Sequence, residues 1–131
     1  MTGLDTNILV RYLTQDHPAE SKRAAVFIER HCTREDPGWI NAIVLCELVW
    51  VLESAYGYAK AAIADVLEKM LTTSQLQIED KASAWHALDS YRRSRADFAD
   101  CLIGKRNRAF GCEKTATFDR ACNGLDEFLL V

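Results

Sequence analysis

The sequence predicts an α/β fold with a mostly parallel sheet covered by helices on both faces. Three observations carry this. Short strand-like stretches alternate along the chain with longer segments whose apolar residues recur at helical spacing. Residues that favour helix starts follow the early strands directly: Asp5-Thr6-Asn7, Asn41 and Asp80. No linker, internal repeat or low-complexity tract divides the 131 residues, a length that suits one domain, residues 1–131.

The chain opens with Gly3-Leu4 as the end of a buried strand and a helix from Thr6, whose apolar residues are Ile8, Leu9, Val10, Tyr12 and Leu13. Asp5 then stands at the carboxyl end of a strand, where open α/β sheets hold ligands, and is also a helix cap. Residues 14–17 form a turn, and Pro18 is an early helical position. Ala24, Phe27, Ile28 and His31 share a helical face, with His31 near the helix end. Residues 34–38 form a loop around Pro37-Gly38.

Trp39-Ile40 is a short second strand or a lead-in to Asn41 as the cap of the segment Ala42–Leu52. All but one of its residues are apolar, which predicts a helix buried nearly all round and stopped at Gly57. Glu47 is the exception. An isolated buried carboxylate is costly without a partner, so it is either half of an internal ion pair or part of a functional site. Tyr58 to about Thr73 is a helix with Ala62, Val66, Met70 and Leu71 inward and Asp65, Glu68 and Lys69 toward water. Leu76–Ile78 is a strand. Asp80 caps a helix from Lys81 to about Arg95, with Ala84, Trp85, Leu88 and Tyr91 on its apolar face. A further helix opens at Asp97, runs to Phe110 and stops at Gly111. Lys114–Phe118 and Phe128–Val131 are the last strands, and Asp119 opens a turn or short helix between them.

Charge and composition exclude several classes. Hydrophobic content of 49% and charged content of 27% belong to a folded globular chain. No apolar run approaches the ~18 residues of a membrane span, and Asp5 and Arg11 interrupt any apolar leader, so a cytoplasmic protein without a membrane association is expected. Five cysteines, without a Cys-x-x-Cys pair, fit small buried hydrophobes in a reducing compartment. A formal net charge of −3 argues against gripping nucleic acid by overall charge.

Five carboxylates remain where chemistry could use them. Asp5 and Asp119 each follow a strand taken as buried, Glu47 lies within a helix, and Asp97 and Asp100 share the first turn of another. Clustered carboxylates without basic partners repel each other, and a divalent cation removes that penalty. Hard oxygen donors suit Mg²⁺ or Mn²⁺, and no His or Cys set suits zinc. Such an ion activates water and stabilises charge on a phosphate, so phosphodiester hydrolysis is the natural reaction. Arg92, Arg93, Arg95, Lys105 and Arg106, with Arg108 beyond them, flank the helix carrying Asp97 and Asp100. They are a local footprint for an RNA backbone, or a solvated face of ordinary ion pairs.

Four stretches together resemble the signature segments of PIN-domain ribonucleases, especially the VapC-type toxins of bacterial toxin–antitoxin pairs. They are Leu4–Leu13, Leu45–Leu52, Ala96–Ile103 and Thr115–Asp119, in order and at normal spacing. Gly3 and Cys101 depart slightly from the residues common there. The resemblance implies a three-layer α/β/α PIN-like domain and Mg²⁺- or Mn²⁺-dependent endoribonuclease activity. It also implies inhibition by a cognate antitoxin and usually a homodimer. It matches Asp5, Glu47 and Asp100 to the central acids, Asp119 to a more variable fourth, Asp97 to an auxiliary acid, and Thr6 and Thr117 to polar residues that support them.

Three other readings are weighed against the nuclease, and each is disfavoured. A receiver-like signalling domain that takes phosphate on an Asp with Mg²⁺ expects adjacent acids after the first strand, whereas Thr6-Asn7 follow Asp5. A haloacid-dehalogenase-type phosphatase needs the second Asp of Asp-x-Asp, which Asn7 replaces. A PIN fold kept only for binding is disfavoured by the complete acid set.

Overall fold

A computed structural model describes residues 1–131. The chain divides into two compact units, Met1–Glu79 and Asp80–Val131.

In the first unit, β1 (Thr2–Gly3), β2 (Gly38–Ile40) and β3 (Leu76–Ile78) form a parallel sheet in the order β1-β2-β3. Parallel neighbours need crossover connections, and helices supply them. The β1–β2 crossover holds α1 (Thr6–Thr14) and α2 (Pro18–His31), and the β2–β3 crossover holds α3 (Ala42–Ser54) and α4 (Lys60–Leu71). The register places Gly3 opposite Trp39, and the Leu4 amide donates to the Trp39 carbonyl (2.9 Å). Gly38 sits where a Cβ would lie 2.7 Å from Leu4 Cδ1 and 3.0 Å from Cys32 Sγ, so a larger residue would force the Leu4 side chain to move.

Local chemistry sets the helix ends. Asp5 caps α1, His17 and Pro18 start α2, and the Asn41 side chain accepts from the Val44 amide to cap α3. Gly57, in left-handed conformation, donates to the Glu53 carbonyl beyond the end of α3. The unit's core gathers Leu9 and Val10 of α1, Leu45, Leu48 and Leu52 of α3, and Ile63 and Leu67 of α4, all buried. Each such side chain contributes about 1.5–3 kcal/mol by leaving water.

The structure corrects three expectations here. α3 is not buried all round: Ile43 and Trp50 are 72% and 69% exposed, and Glu47 lies between them on the same open face. An apolar composition cannot reveal that a helix keeps a hydrophobic stripe uncovered. In α4 the buried face is Ile63, Ala64, Leu67, Met70 and Leu71, with Ala62 exposed and Val66 half-buried, a small rotation from the face expected. In α2 the buried line is Ser21, Ala24 and Ile28, while Phe27 is half-buried and stacks on exposed His31 (centroids 4.9 Å).

In the second unit, β4 (Thr115–Thr117) and β5 (Phe128–Leu130) pair in parallel, with Thr115 opposite Phe128. Before them come α5 (Lys81–Arg93), capped by Asp80, and α6 (Phe98–Phe110), ended by Gly111 at φ +123. A single 3₁₀ turn, Arg120–Cys122, lies between the strands. α5 packs on α6, and the rings of Tyr91 and Phe98 meet edge to face at 5.9 Å. Trp85, expected on the apolar face of α5, is half-buried, and Ser83, Ala87 and Ser90 are the buried neighbours of Ala84 and Leu88.

All registered strand pairs are parallel, and six α-helices accompany them, as an α/β fold of this class requires. The strands are shorter and more open than expected. Thr2 and Gly3 are exposed, with burial beginning at Leu4, and β4 is half-buried at best. No helix is long and apolar enough to cross a membrane.

Candidate active site

In the first unit the candidate residues meet where β1 passes into α1. Asp5 is the N-cap of α1, with one carboxylate oxygen accepting from the Thr6 amide (2.8 Å). Asp5 is exposed, and the capping bond engages only one of its two carboxylate oxygens. The Thr6 hydroxyl donates to Glu47 Oε1 (2.7 Å). Thr6 therefore orients two acids at once, one through its backbone and one through its side chain. A cap uses one carboxylate oxygen and leaves the other, so capping does not remove Asp5 from the candidate set.

In the second unit the candidates gather at the start of α6 and the end of β4. Asp97 is the N-cap of α6 but makes no side-chain capping bond, and Asp100 lies in the first turn. Asp119 caps the 3₁₀ turn, accepting from the Ala121 amide (2.9 Å), while its own amide donates to Thr117 Oγ1 (3.0 Å). Donor atoms of Asp100, Asp119 and Cys122 all lie within 4.8 Å of one another.

That crowding has an electrostatic signature. Burial, then the neighbouring Asp119 carboxyl and Asp97, push the Asp100 carboxyl above the ordinary aspartate range. Burial and the same acids push the Cys122 thiol up to about 11. None of the ion pairs in the structure uses Asp5, Glu47, Asp97, Asp100 or Asp119. Asp5 and Asp119 accept from backbone amides, Glu47 accepts from the Thr6 hydroxyl, and Asp100 lies against Asp119. Negative charge left uncompensated in this way suits a hard divalent cation, and the donor set is oxygen-rich as Mg²⁺ or Mn²⁺ requires.

The basic residues divide. Arg95 is exposed and free of ion pairs, and Arg92 is exposed. Arg93 pairs with Asp89 one turn away (2.9 Å), an ordinary helix pair. Lys105 is committed to Glu127 (3.1 Å), Arg106 approaches Asp80 (3.7 Å), and Arg108 pairs with Asp126 (2.8 Å).

A model of the PIN domain matches residues 4–127, which is nearly all of the sequence and includes every candidate acid. The chain belongs to the PIN-domain family. The PIN domain is also similar to a VapC ribonuclease of Aquifex aeolicus (strain VF5), 26% identical over 122 residues, covering 92% of this chain and 88% of that protein.

Two residues of this PIN domain carry little mark of their surroundings in the sequence. Cys122 follows Asp119 at the i,i+3 spacing that a tight turn brings together, a signal masked by the hydrophobic character of a cysteine without a Cys-x-x-Cys partner. Cys112 is in fact exposed and Cys46 half-buried. Glu127 is a buried carboxylate, 2% exposed, whose Oε2 meets Lys105 while Oε1 has no partner. Its place directly before an apolar strand carries no mark of burial.

Proposed function

We propose that this PIN domain is a metal-dependent endoribonuclease and the toxin of a toxin–antitoxin pair, acting as a single domain over residues 1–131. The observation that carries the reading is the set of carboxylates free of ion pairs: Asp5 and Glu47 in one unit, Asp97, Asp100 and Asp119 in the other. Asp100, Asp119 and Asp97 crowd one another at the start of α6, and a divalent cation would relieve that repulsion. The family match and the similarity to a VapC ribonuclease give the same direction. Membership of the PIN family removes the receiver-like alternative.

Asp5, Asp100, Asp119 and Glu47 are the proposed ligands and catalytic acids, with Mg²⁺ or Mn²⁺ as the ion. Once bound, such an ion would lower the pKa of a water and neutralise charge on the scissile phosphate. The chain's own parts in this are positional. Thr6 fixes Glu47 so that its second oxygen is available to orient a water, and Thr117 fixes the backbone that presents Asp119. Hydrolysis in this manner leaves a 5′-phosphate and a 3′-hydroxyl. Arg92, Arg93, Arg95, Lys105 and Arg106 are the proposed RNA contacts. Of these, Arg95 is the strongest candidate, and Lys105 would have to leave Glu127 to serve.

Uncovered apolar side chains favour protein partners as well. Ile43 and Trp50 on α3, and Phe110 at 92% exposure on α6, are unusual for a chain that works alone. The proposed partners are a cognate antitoxin that lays an apolar or arginine-bearing segment over the acids, and a second copy of the chain in a cytoplasmic homodimer. The test is cleavage of total cellular RNA by purified protein with Mg²⁺ or Mn²⁺, beside chelator and Asp5→Asn. Discrete metal-dependent fragments lost in the variant are expected. Equal cleavage with chelator, or by the folded variant, would overturn the reading.

A further inference from the structure

We propose that Cys122 makes the Asp100–Asp119 pair a mixed oxygen–sulfur centre that captures a thiophilic divalent cation of the Zn²⁺ or Cd²⁺ class. The inference rests on reading these two aspartates as metal ligands, and adds a third donor of different chemistry.

Geometry comes first. Cys122 closes the 3₁₀ turn that Asp119 caps, and its amide donates to the Asp119 carbonyl (3.1 Å). Residues three apart eclipse in a 3₁₀ turn, so carboxylate and sulfur project on one side. Asp100 completes the group, with all three donor atoms within 4.8 Å of each other. Tetrahedral zinc with Zn–S of about 2.3 Å and Zn–O of about 2.1 Å brings its ligands to roughly 3.6 Å apart. Side-chain rotations on the order of 1 Å close that gap.

The surroundings of the sulfur supply a second observation. Cys122 is 1% exposed, and its thiol makes no hydrogen bond with the protein. A buried site that needed only bulk would be filled as well by an alkyl side chain. Here the sulfur lies within 4.8 Å of a carboxylate oxygen of each aspartate, surroundings that favour a proton or a cation.

Chemistry then selects the class of ion. Two carboxylates and one thiolate make three protein ligands, the number that leaves a fourth position for water on zinc. Mg²⁺ prefers a shell of oxygens in octahedral array and has no use for sulfur, whereas soft donors favour Zn²⁺ and its heavier relatives. Binding forms a metal–sulfur bond, breaks the S–H bond, sends the proton to solvent and releases water from the aqua ion. No electrons change hands. A cation so held occupies Asp100 and Asp119 in competition with Mg²⁺ or Mn²⁺, and cleavage slows.

The test is titration of the purified full-length protein with Co²⁺, watched for thiolate-to-cobalt charge-transfer absorption, together with calorimetric affinities for Cd²⁺ and Mn²⁺. The wild type should show the band, and Cd²⁺ should displace it. The band should be lost in Cys122→Ser, Cys122→Ala and Asp119→Asn but kept in Cys46→Ser and Cys112→Ser. Losing outer-shell partners already costs about 10–100-fold in metal affinity, so losing this ligand should cost Cd²⁺ at least that much while Mn²⁺ affinity holds. A wild type without the band, or a band that survives Cys122→Ser, overturns the proposal. Asp119→Asn alters an exposed residue and decides the matter even if the cysteine variants fail to fold. RNA cleavage in Mg²⁺ and Mn²⁺, measured alongside, separates the two readings. Cleavage without the band refutes only the sulfur ligand. The band without cleavage refutes the nuclease and leaves the mixed centre standing.

Discussion

Replacing Asp100 by Asn should stabilise the metal-free protein while abolishing its activity. Asp100 and Asp119 hold donor atoms within 4.8 Å, and no cationic side chain pairs with either. Two unit charges at that separation repel by about 0.9 kcal/mol at a dielectric constant of ~80 and about 3.5 kcal/mol at ~20. Asp119 is exposed, so the lower part of that range applies, near ~1.5 kcal/mol. Against this, Asp100 sits in the first turn of α6, where a negative charge gains roughly 0.5 kcal/mol from the helix dipole. Asn keeps the shape and the hydrogen bonding and removes both terms. The net gain is about 1 kcal/mol, or about 3–4 °C in Tm for a chain of this size. Thermal denaturation in chelator at neutral pH reads it directly. Saturating Mn²⁺ should reverse the order, because a ligand at 100 times its Kd adds about 2.7 kcal/mol to the wild type alone. The pH dependence has a fixed sign. The folded protein holds the Asp100 proton more tightly than the unfolded chain does, so ionised Asp100 costs stability at neutral pH. That cost is relieved as pH falls through the raised pKa, and the gap between variant and wild type should close there. A lower Tm for Asp100→Asn in chelator, or a gap that widens in acid, would refute the reasoning.

Other outcomes follow from single contacts. Thr6→Val, which removes the donor to Glu47, should lower the RNA cleavage rate about 10–100-fold in a steady-state assay, and Thr6→Ser should restore most of it. Lys105→Met leaves buried Glu127 without its partner and should cost about 3–5 kcal/mol in urea denaturation, with Glu127→Gln in the same background recovering part of the loss. Gly104→Ala would put a Cβ 2.6 Å from the Phe128 ring and 2.7 Å from Glu127 Cγ, and should cost about 1–3 kcal/mol by the same measure. Asn41→Ala removes the α3 cap and should cost about 1 kcal/mol.

What the sequence made legible was local. Asp5, Asn41 and Asp80 each cap a helix as expected, Pro18 begins one and Gly111 ends one, because cap chemistry depends on a few adjacent residues. The parallel pairing followed from the alternation of short strands and helices. Thr6 and Thr117, singled out by the resemblance, hydrogen-bond to the Glu47 carboxylate and to the Asp119 backbone amide. Burial was harder, because it depends on what covers a face. An apolar α3 could equally have been a core helix, yet Ile43, Glu47 and Trp50 face outward. In α4 every position from Ala61 to Ala64 is a small or branched apolar residue, so periodicity could not decide which of them turned inward. Lys105 read as a surface cation because its partner, Glu127, lies 22 residues away in sequence and is itself buried.

The decisive measurement is the end chemistry of one cleaved RNA. With purified protein and Mn²⁺, a single fragment pair should carry a 5′-phosphate and a 3′-hydroxyl, as expected when metal-activated water attacks phosphorus, and Asp5→Asn and Asp100→Asn should yield no fragments. A 2′,3′-cyclic phosphate formed equally well in chelator would mean that the RNA's own 2′-hydroxyl is the nucleophile. The acids would then have some other task.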